Sequence, residues 1–195
     1  MKKDKRINLL ELEKNCGAAE SRNLAMKEAK GEYLAFLDSD DTWKEKKLTK
    51  QIEFMITKSI VFSFTAYRKE DEKGNFLSTI PAKPEVTYAN NLLYNRIGTS
   101  TVILKRTKFK ELQMPLLKRR QDYATWLFIL RNNTNAYGLN EVLTIYKVRK
   151  QSISSNKVKL IKYNWRIYRE YEKLNYFQSF FYLFIDIASK IFKLK

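Results

Sequence analysis

Apolar and polar residues alternate along this chain with different periods in different stretches, and each period predicts an element. From 44 to 57, Leu48, Ile52, Met55 and Ile56 recur at the spacing of one helix face, which assigns Lys44, Lys46, Lys47 and Lys50 to solvent. Ahead of it, residues 7–13 (INLLELE) read as a short apolar strand, Asn15 and Gly17 as a turn, and the helix formers of 18–29 as a helix closed by Gly31 as its C-terminal cap. Tyr33 to Leu37 is continuously apolar, the mark of a strand covered on both faces in a largely parallel sheet. Strand, helix and strand in succession predict a βαβ crossover. Beyond 57, residues 59–67 and 74–80 read as strands joined by a charged hairpin around Gly74. A short helix near 88–95, a strand at 100–106, a helix at 121–132 and a strand at 136–148 with a turn at Gly138 complete the pattern. No repeat, low-complexity linker or break in composition interrupts the chain before about residue 150.

Composition narrows the chemistry. The 195 residues suffice for one domain with a hydrophobic core. Lys and Arg number 38 against 21 acids, a net charge of +17, so the surface should attract phosphates, nucleic acid or an anionic membrane. Histidine is absent and Cys16 is the single cysteine, which excludes zinc constellations, Ser-His and Cys-His nucleophile systems and an intramolecular disulfide. Acid–base chemistry falls mainly to carboxylates, and a metal would be a hard cation held by oxygen. The N-terminal residues lack an apolar run long enough for a signal peptide, so the expected location is intracellular.

The apolar run at 33–37 ends in three carboxylates, Asp38, Asp40 and Asp41, at a strand terminus, where open α/β sheets gather ligands. A plain solvated loop is one reading of that cluster. A calcium loop of EF-hand type fails, because counting from Asp38 the glycine and glutamate positions hold Trp43 and Thr49. The third reading is a site in which one or two carboxylates hold Mg²⁺ or Mn²⁺ and substrate phosphates supply the remaining ligands.

The stretch KNCGAAESRNLAMKEAKGEYLAFLDSDDTW resembles the central signature of the family 2 glycosyltransferases: N-x-G, A-x-x-R-N, A-x-G-x-Y and L-D-x-D-D. It matches at Asn15, Gly17, Ala19, Arg22, Asn23, Ala29, Gly31, Tyr33 and Leu37 to Asp41. Downstream, RRQDYATWLFIL is similar to the family's E-D or Q-D pair opening a helix, and residues 146–156 to the segment that closes the catalytic region in the bacterial envelope-glycan subgroup. The resemblance implies an α/β fold: an incomplete GT-A (Rossmann-like) nucleotide-diphospho-sugar transferase fold, with a mixed sheet flanked by helices and a C-terminal helical extension. The strand–helix–strand unit with which family members begin has no counterpart ahead of residue 7. The implied division is a catalytic domain over 1–156 and a basic, aromatic helical tail over 157–195.

Carried over residue by residue, the resemblance implies that Asp38 and Asp40 bind the nucleotide ribose and an Mg²⁺ or Mn²⁺ bridging the donor diphosphate, with Asp41 flanking them. It implies that Asp122 is the general base of an inverting displacement, and that Arg149 falls near the diphosphate. Arg119 and Arg120 either steer the diphosphate or an anionic acceptor, or are surface charge. Arg22 either supports the acid loop or pairs with Glu20 or another acid, and Trp43 and Trp126 are better read as packing than as sugar platforms. The implied partners are a nucleotide-sugar donor and a glycan or lipid-linked glycan acceptor of bacterial envelope polysaccharide synthesis.

From 157 to 195, nine Lys or Arg accompany three acids and a run of aromatic residues. The apolar stretch at 176–185 is too short to span a bilayer. Two amphipathic helices lying on an anionic membrane surface is one reading, and packing of the aromatics on the catalytic domain is the other. The corresponding location is cytoplasmic, peripheral on the inner face of the cytoplasmic membrane. An inactive remnant or a non-catalytic subunit of a glycan-assembly complex is the alternative function. A nucleic-acid binder is not expected, since no such motif is present.

Overall fold

The computed structural model describes residues 4–149 and 157–191. In chain order the elements are α1 (Ala18–Glu28), β1 (Tyr33–Ala35), β2 (Thr42–Trp43), α2 (Lys47–Thr57), β3 (Phe62–Asp71), β4 (Phe76–Ile80), β5 (Glu85–Val86), α3 (Tyr88–Leu93), β6 (Ile103–Lys105), α4 (Gln121–Arg131), β7 (Ala136–Val148), α5 (Lys157–Arg166) and α6 (Tyr176–Ile191). A 3-10 turn at Thr99–Thr101 precedes β6, and a π-helical turn at Ile167–Tyr171 follows α5.

The strands form one mixed sheet of order β1-β6-β3-β7-β2, with β4 added to β3 and β5 to β7. Among the described residues only the β3–β7 pairing is parallel, and its register shifts twice between Thr65 and Tyr67. In β6, Leu104 joins the cluster that holds Phe36, Phe62, Phe64 and Trp126, while Ile103 joins Met55 and Ile60. Because side chains alternate across a strand, α4 and α1 cover one face of the sheet and α2 the other. Trp126 is fully buried, its ring 5.7 Å from Phe36 and 5.5 Å from Phe62, so it is core packing.

Local chemistry explains the element ends. Gly17 has φ 86 just ahead of α1, and the β3–β4 hairpin turns at Gly74, also φ 86, where the Asp71 carboxylate accepts the Lys73 and Asn75 backbone N–H groups. Thr87 caps α3 by accepting the N–H of Asn90.

Several expectations give way. Residues 7–13 form no strand and pair with none, and Ile7 and Leu9 lie exposed. The βαβ crossover is therefore absent here, and β1 is an end strand paired antiparallel with β6, with Ala35 and Leu37 exposed. Gly31 is not a left-handed cap; α1 ends at Ala29 in extended backbone. The strand expected from residue 100 starts at Ile103, the hydroxyl residues before it having formed the 3-10 turn.

α2 is rotated from the expected phase: it buries Lys47, Gln51 and Met55 and exposes Leu48 and Ile56. The reason is polar satisfaction, since Lys47 Nζ and Gln51 Nε2 both donate to the Thr101 carbonyl and Gln51 also donates to Ser63. Gly138 lies within β7 rather than at a turn. A Cβ there would stand 2.1 Å from the Lys83 carbonyl oxygen, so glycine is required by close backbone approach.

The C-terminal helices are anchored through a second cluster, in which Ile167 and Tyr168 pack with Leu92, Tyr123, Ala124 and Leu127 of α3 and α4. Tyr123 Oη donates to the Leu92 carbonyl and lies 3.2 Å from Tyr168 Oη. Among the described residues no helix is long and apolar enough to cross a membrane.

Candidate active site

The acid loop follows β1 and is held from three sides. Immediately after Asp41, β2 pairs antiparallel with β7, Thr42 with Ile145 and Trp43 with Thr144, which lays the loop against the end of β7. There the backbone N–H of Lys147 donates to Asp41 Oδ1 at 3.1 Å. Asp41 is only 9% exposed. Burial pushes its carboxyl up to about 6, partly offset by hydrogen bonds from Ser100 and Lys147, while Asp38 and Asp40 add to the rise. Asp41 thus fastens the loop to β7.

Asp38 and Asp40 are half-buried and each meets an arginine. Arg22, from α1, pairs with Asp38. Arg149, just past β7, pairs with Asp40 through Nε at 3.3 Å. Of the two readings for Arg22, the one realised is support of the acid loop. Its neighbour Asn23 exchanges two hydrogen bonds with the backbone of Met114, at 2.9 and 2.7 Å, so the R-N pair ties the acid loop and the 110s segment to the same helix.

The turn at 99–101 joins the loop to α4. Ser100 Oγ accepts the backbone N–H of Asp38 at 3.1 Å, and the Ser100 carbonyl accepts the Trp43 indole N–H at 2.7 Å. Thr99 Oγ1 donates to Asp122 Oδ2 at 2.9 Å. Asp122 sits in the first turn of α4. Beneath the turn lies the fully buried Lys47, its Nζ 4.9 Å from the Trp43 ring centre, with burial lowering its pKa to about 7.

Arg119 and Arg120 directly precede α4. Arg120 takes the left-handed backbone (φ 63), and its guanidinium lies 5.6 Å from the Tyr123 ring centre. Arg119 Nη1 and Arg120 Nε are buried without a hydrogen-bond acceptor.

The structure therefore brings Asp38, Asp40, Asp41 and Arg149 into one loop environment and links it to Asp122 through the 99–101 turn. Thr99, Ser100, Lys47 and Gln51 did not stand out in the sequence. The signal available was the run of three hydroxyl residues ahead of an apolar strand, a turn signature. Among the described residues no three His, Cys, Asp or Glu side chains are grouped to cage a metal. Asp38 and Asp40, the carboxylates expected to hold a cation, are each engaged by an arginine.

Residues 1–133 match the family described as Glycosyl transferase family 2. The chain is 46% identical to the Putative teichuronic acid biosynthesis glycosyltransferase TuaG of Bacillus subtilis, over 90% of this chain and 70% of that protein. It is 43% identical to the UDP-Glc:alpha-D-GlcNAc-diphosphoundecaprenol beta-1,3-glucosyltransferase WfaP of Escherichia coli, over 80% of this chain and 62% of that one. In fold it is similar to residues 1–349 of Staphylococcus aureus TarS in complex with UDP-GlcNAc, with a TM-score of 0.61 at 22% identity, covering 80% of this chain and 47% of TarS. The chain thus spans 62% to 70% of those two relatives and less than half of the TarS segment, corresponding to part of a GT-A domain. A central signature ending in L-D-x-D-D, the mixed sheet that carries it and these likenesses converge: the chain belongs to glycosyl transferase family 2.

Proposed function

We propose that the chain transfers a sugar from a nucleotide-diphosphate donor to an acceptor hydroxyl on a glycan or lipid-linked glycan of the bacterial cell envelope. The displacement is inverting and uses Mg²⁺ or Mn²⁺, and the enzyme works on the cytoplasmic face of the membrane. The observation that carries this reading is the 99–101 turn, which touches the acid loop at Asp38 and the candidate base Asp122 with adjacent residues. The name of WfaP supports a UDP-sugar donor and a diphosphoundecaprenol-linked acceptor as the substrate classes, and that of TuaG supports an envelope polysaccharide as the product.

In this reading Asp38 and Asp40 hold the cation, and Asp38 also meets the nucleotide ribose. When bound, the cation neutralises charge on the departing diphosphate. Arg149 leaves Asp40 for the diphosphate as the donor enters. Asp41 keeps the loop in register with β7. Asp122 takes the proton from the attacking hydroxyl, oriented by Thr99, and Arg119 and Arg120 steer the donor diphosphate or an anionic acceptor by their charge.

The test is transfer from labelled UDP-sugars to a polyprenyl-diphosphate-linked acceptor with and without Mn²⁺. Transfer that needs Mn²⁺ and disappears in Asp122→Asn supports the reading. A second reading, a non-catalytic subunit of a glycan-assembly complex, is favoured by the pairing of both Asp38 and Asp40 with arginine. It predicts that calorimetry finds no binding of UDP with Mn²⁺.

A further inference from the structure

Helix α6 is turned inside out relative to an ordinary surface helix. Its inner face buries Ser179, Asp186 and Ser189, with Asp186 accepting a 2.8 Å hydrogen bond from Asn164 of α5. Its outer face carries Tyr176, Phe177, Phe180, Phe181 and Phe184, which share one side of the helix at the 3.6-residue period. All five are exposed, Phe177 to 88% and Phe184 to 71%. Trp165 of α5 extends the patch, its ring 4.8 Å from Phe180 and 6.2 Å from Tyr176. An aromatic area of this extent on the surface of a folded chain marks an interaction site.

The charges around the patch identify the occupant. Arg169 lies over the Tyr176 ring at 3.9 Å, and Lys162 and Lys173 are exposed on α5 and on the link to α6. Of the acids in 157–191, Glu172 and Asp186 are buried, and the exposed Glu170 is paired with Arg166. The outward charge beside the aromatic face is therefore cationic. A second copy of the chain, itself at +17, would set like charges against one another. Aromatic rings rimmed by Lys and Arg match the headgroup boundary of an anionic bilayer, where rings enter the acyl boundary and cations meet phosphates.

We infer that the outer face of α6, with Trp165, Arg169 and Lys173, docks the protein on an anionic lipid surface, α6 lying in the membrane plane. This deepens the proposed function and rests on its lipid-linked acceptor. The docking face also reaches toward the site: Phe181 meets Tyr182 edge-on, Tyr182 meets Tyr168 at a tilt and Tyr168 meets Tyr123 edge-on, at ring separations of 5.4, 6.1 and 6.5 Å, and Tyr123 follows Asp122. Docking through α6 therefore sets the candidate base at a fixed distance from the lipid surface.

The experiment is sedimentation of the whole chain with vesicles of phosphatidylcholine alone or mixed with phosphatidylglycerol. Wild type should pellet with the mixed vesicles only and be released as salt rises. The triple variant Phe177→Ser/Phe180→Ser/Phe184→Ser, all at exposed positions, should keep its circular dichroism spectrum and lose vesicle affinity by about 100-fold or more. Arg169→Gln/Lys173→Gln should lose about 30-fold and part of the salt dependence. A folded triple variant that pellets like wild type overturns the inference. So does a wild-type dimer, seen by analytical ultracentrifugation without lipid, that the triple variant dissociates while vesicle binding stays unchanged. Sedimentation does not depend on catalysis, so failure of docking and failure of the transferase reading register separately.

Discussion

Thr99 donates its hydroxyl to Asp122 Oδ2 at 2.9 Å, while its neighbour Ser100 accepts the backbone N–H of Asp38. Two carboxylates far apart in sequence are thereby referred to one short turn, and a displacement reaction needs such fixed geometry between base and donor. Replacing Thr99 by Val removes the hydroxyl that orients Asp122 while keeping the shape of the side chain. Turnover is expected to fall about ten-fold, the worth of one hydrogen bond to a charged group, with donor affinity unchanged. Steady-state kinetics and calorimetry read the two quantities separately, and an equal loss in both would make Thr99 a donor-site residue instead.

Asp122→Asn keeps the size and the hydrogen bond to Thr99 but cannot take a proton. In a chain that shows transfer activity, turnover is expected to drop by about 10² to 10⁴, the span of general-base catalysis, with donor binding retained. Near-normal turnover would move the base to another residue.

Arg149 and the half-buried Asp40 make a partly exposed ion pair at 3.3 Å, so a cation at Asp40 would compete with a guanidinium. Arg149→Gln is expected to tighten Mn²⁺ binding in the absence of nucleotide by about two- to five-fold, because a partly exposed pair contributes little. It should also weaken binding of the nucleoside diphosphate. Asp40→Ala should abolish the Mn²⁺ dependence of nucleoside diphosphate binding. Calorimetry with unchanged Mn²⁺ affinity in both variants would remove the basis for a metal site.

Lys47 has its folded pKa lowered by burial from 10.5 to about 7. Between those values the unfolded chain keeps a proton that the folded chain has released. Its contribution to stability is therefore full above 10.5 and is lost as pH falls through about 7. Urea unfolding should show stability rising with pH above 7 by at most about 1.4 kcal/mol per unit from this group. Lys47→Met should flatten the rise, and a slope retained in that variant would assign it to other groups.

Gly138→Ala would place a Cβ 2.1 Å from the Lys83 carbonyl oxygen, a backbone atom that cannot rotate away. The expected cost is about 2 kcal/mol or more, the range for forced backbone shifts, measured as a lower urea midpoint. An unchanged midpoint would show that the 82–84 segment moves without resistance.

The signature from Asn15 to Asp41 was legible because it combines fixed offsets with local physics: a helix of good formers, a short apolar strand and carboxylates at its end. Much of the strand expected at 59–67 and found at 62–71, the strand at 136–148, the hairpin at Gly74 and the helix from Gln121 were legible for the same reason, each pattern being contained in its own segment. Residues 7–13 show the limit. Their apolar residues are interrupted by Asn8, Glu11 and Glu13, and a strand exists only where a neighbour exchanges hydrogen bonds with it, which local pattern cannot show.

The sequence by itself determined the chemical inventory: no histidine, three clustered acids, Asp122 at a helix start and a cationic aromatic tail. Tertiary structure decided which of these groups meet. It took Lys47 from the expected solvent face of α2 into the core, because Thr101 offered a carbonyl there. It set Ser100 between Asp38 and Trp43, gave Arg22 and Arg149 their carboxylates, and turned the polar side of α6 inward toward Asn164. Periodicity assigns a helix face by counting apolar side chains, whereas the folded chain also satisfies buried donors and acceptors. Those partners lie on segments that only the tertiary fold brings together.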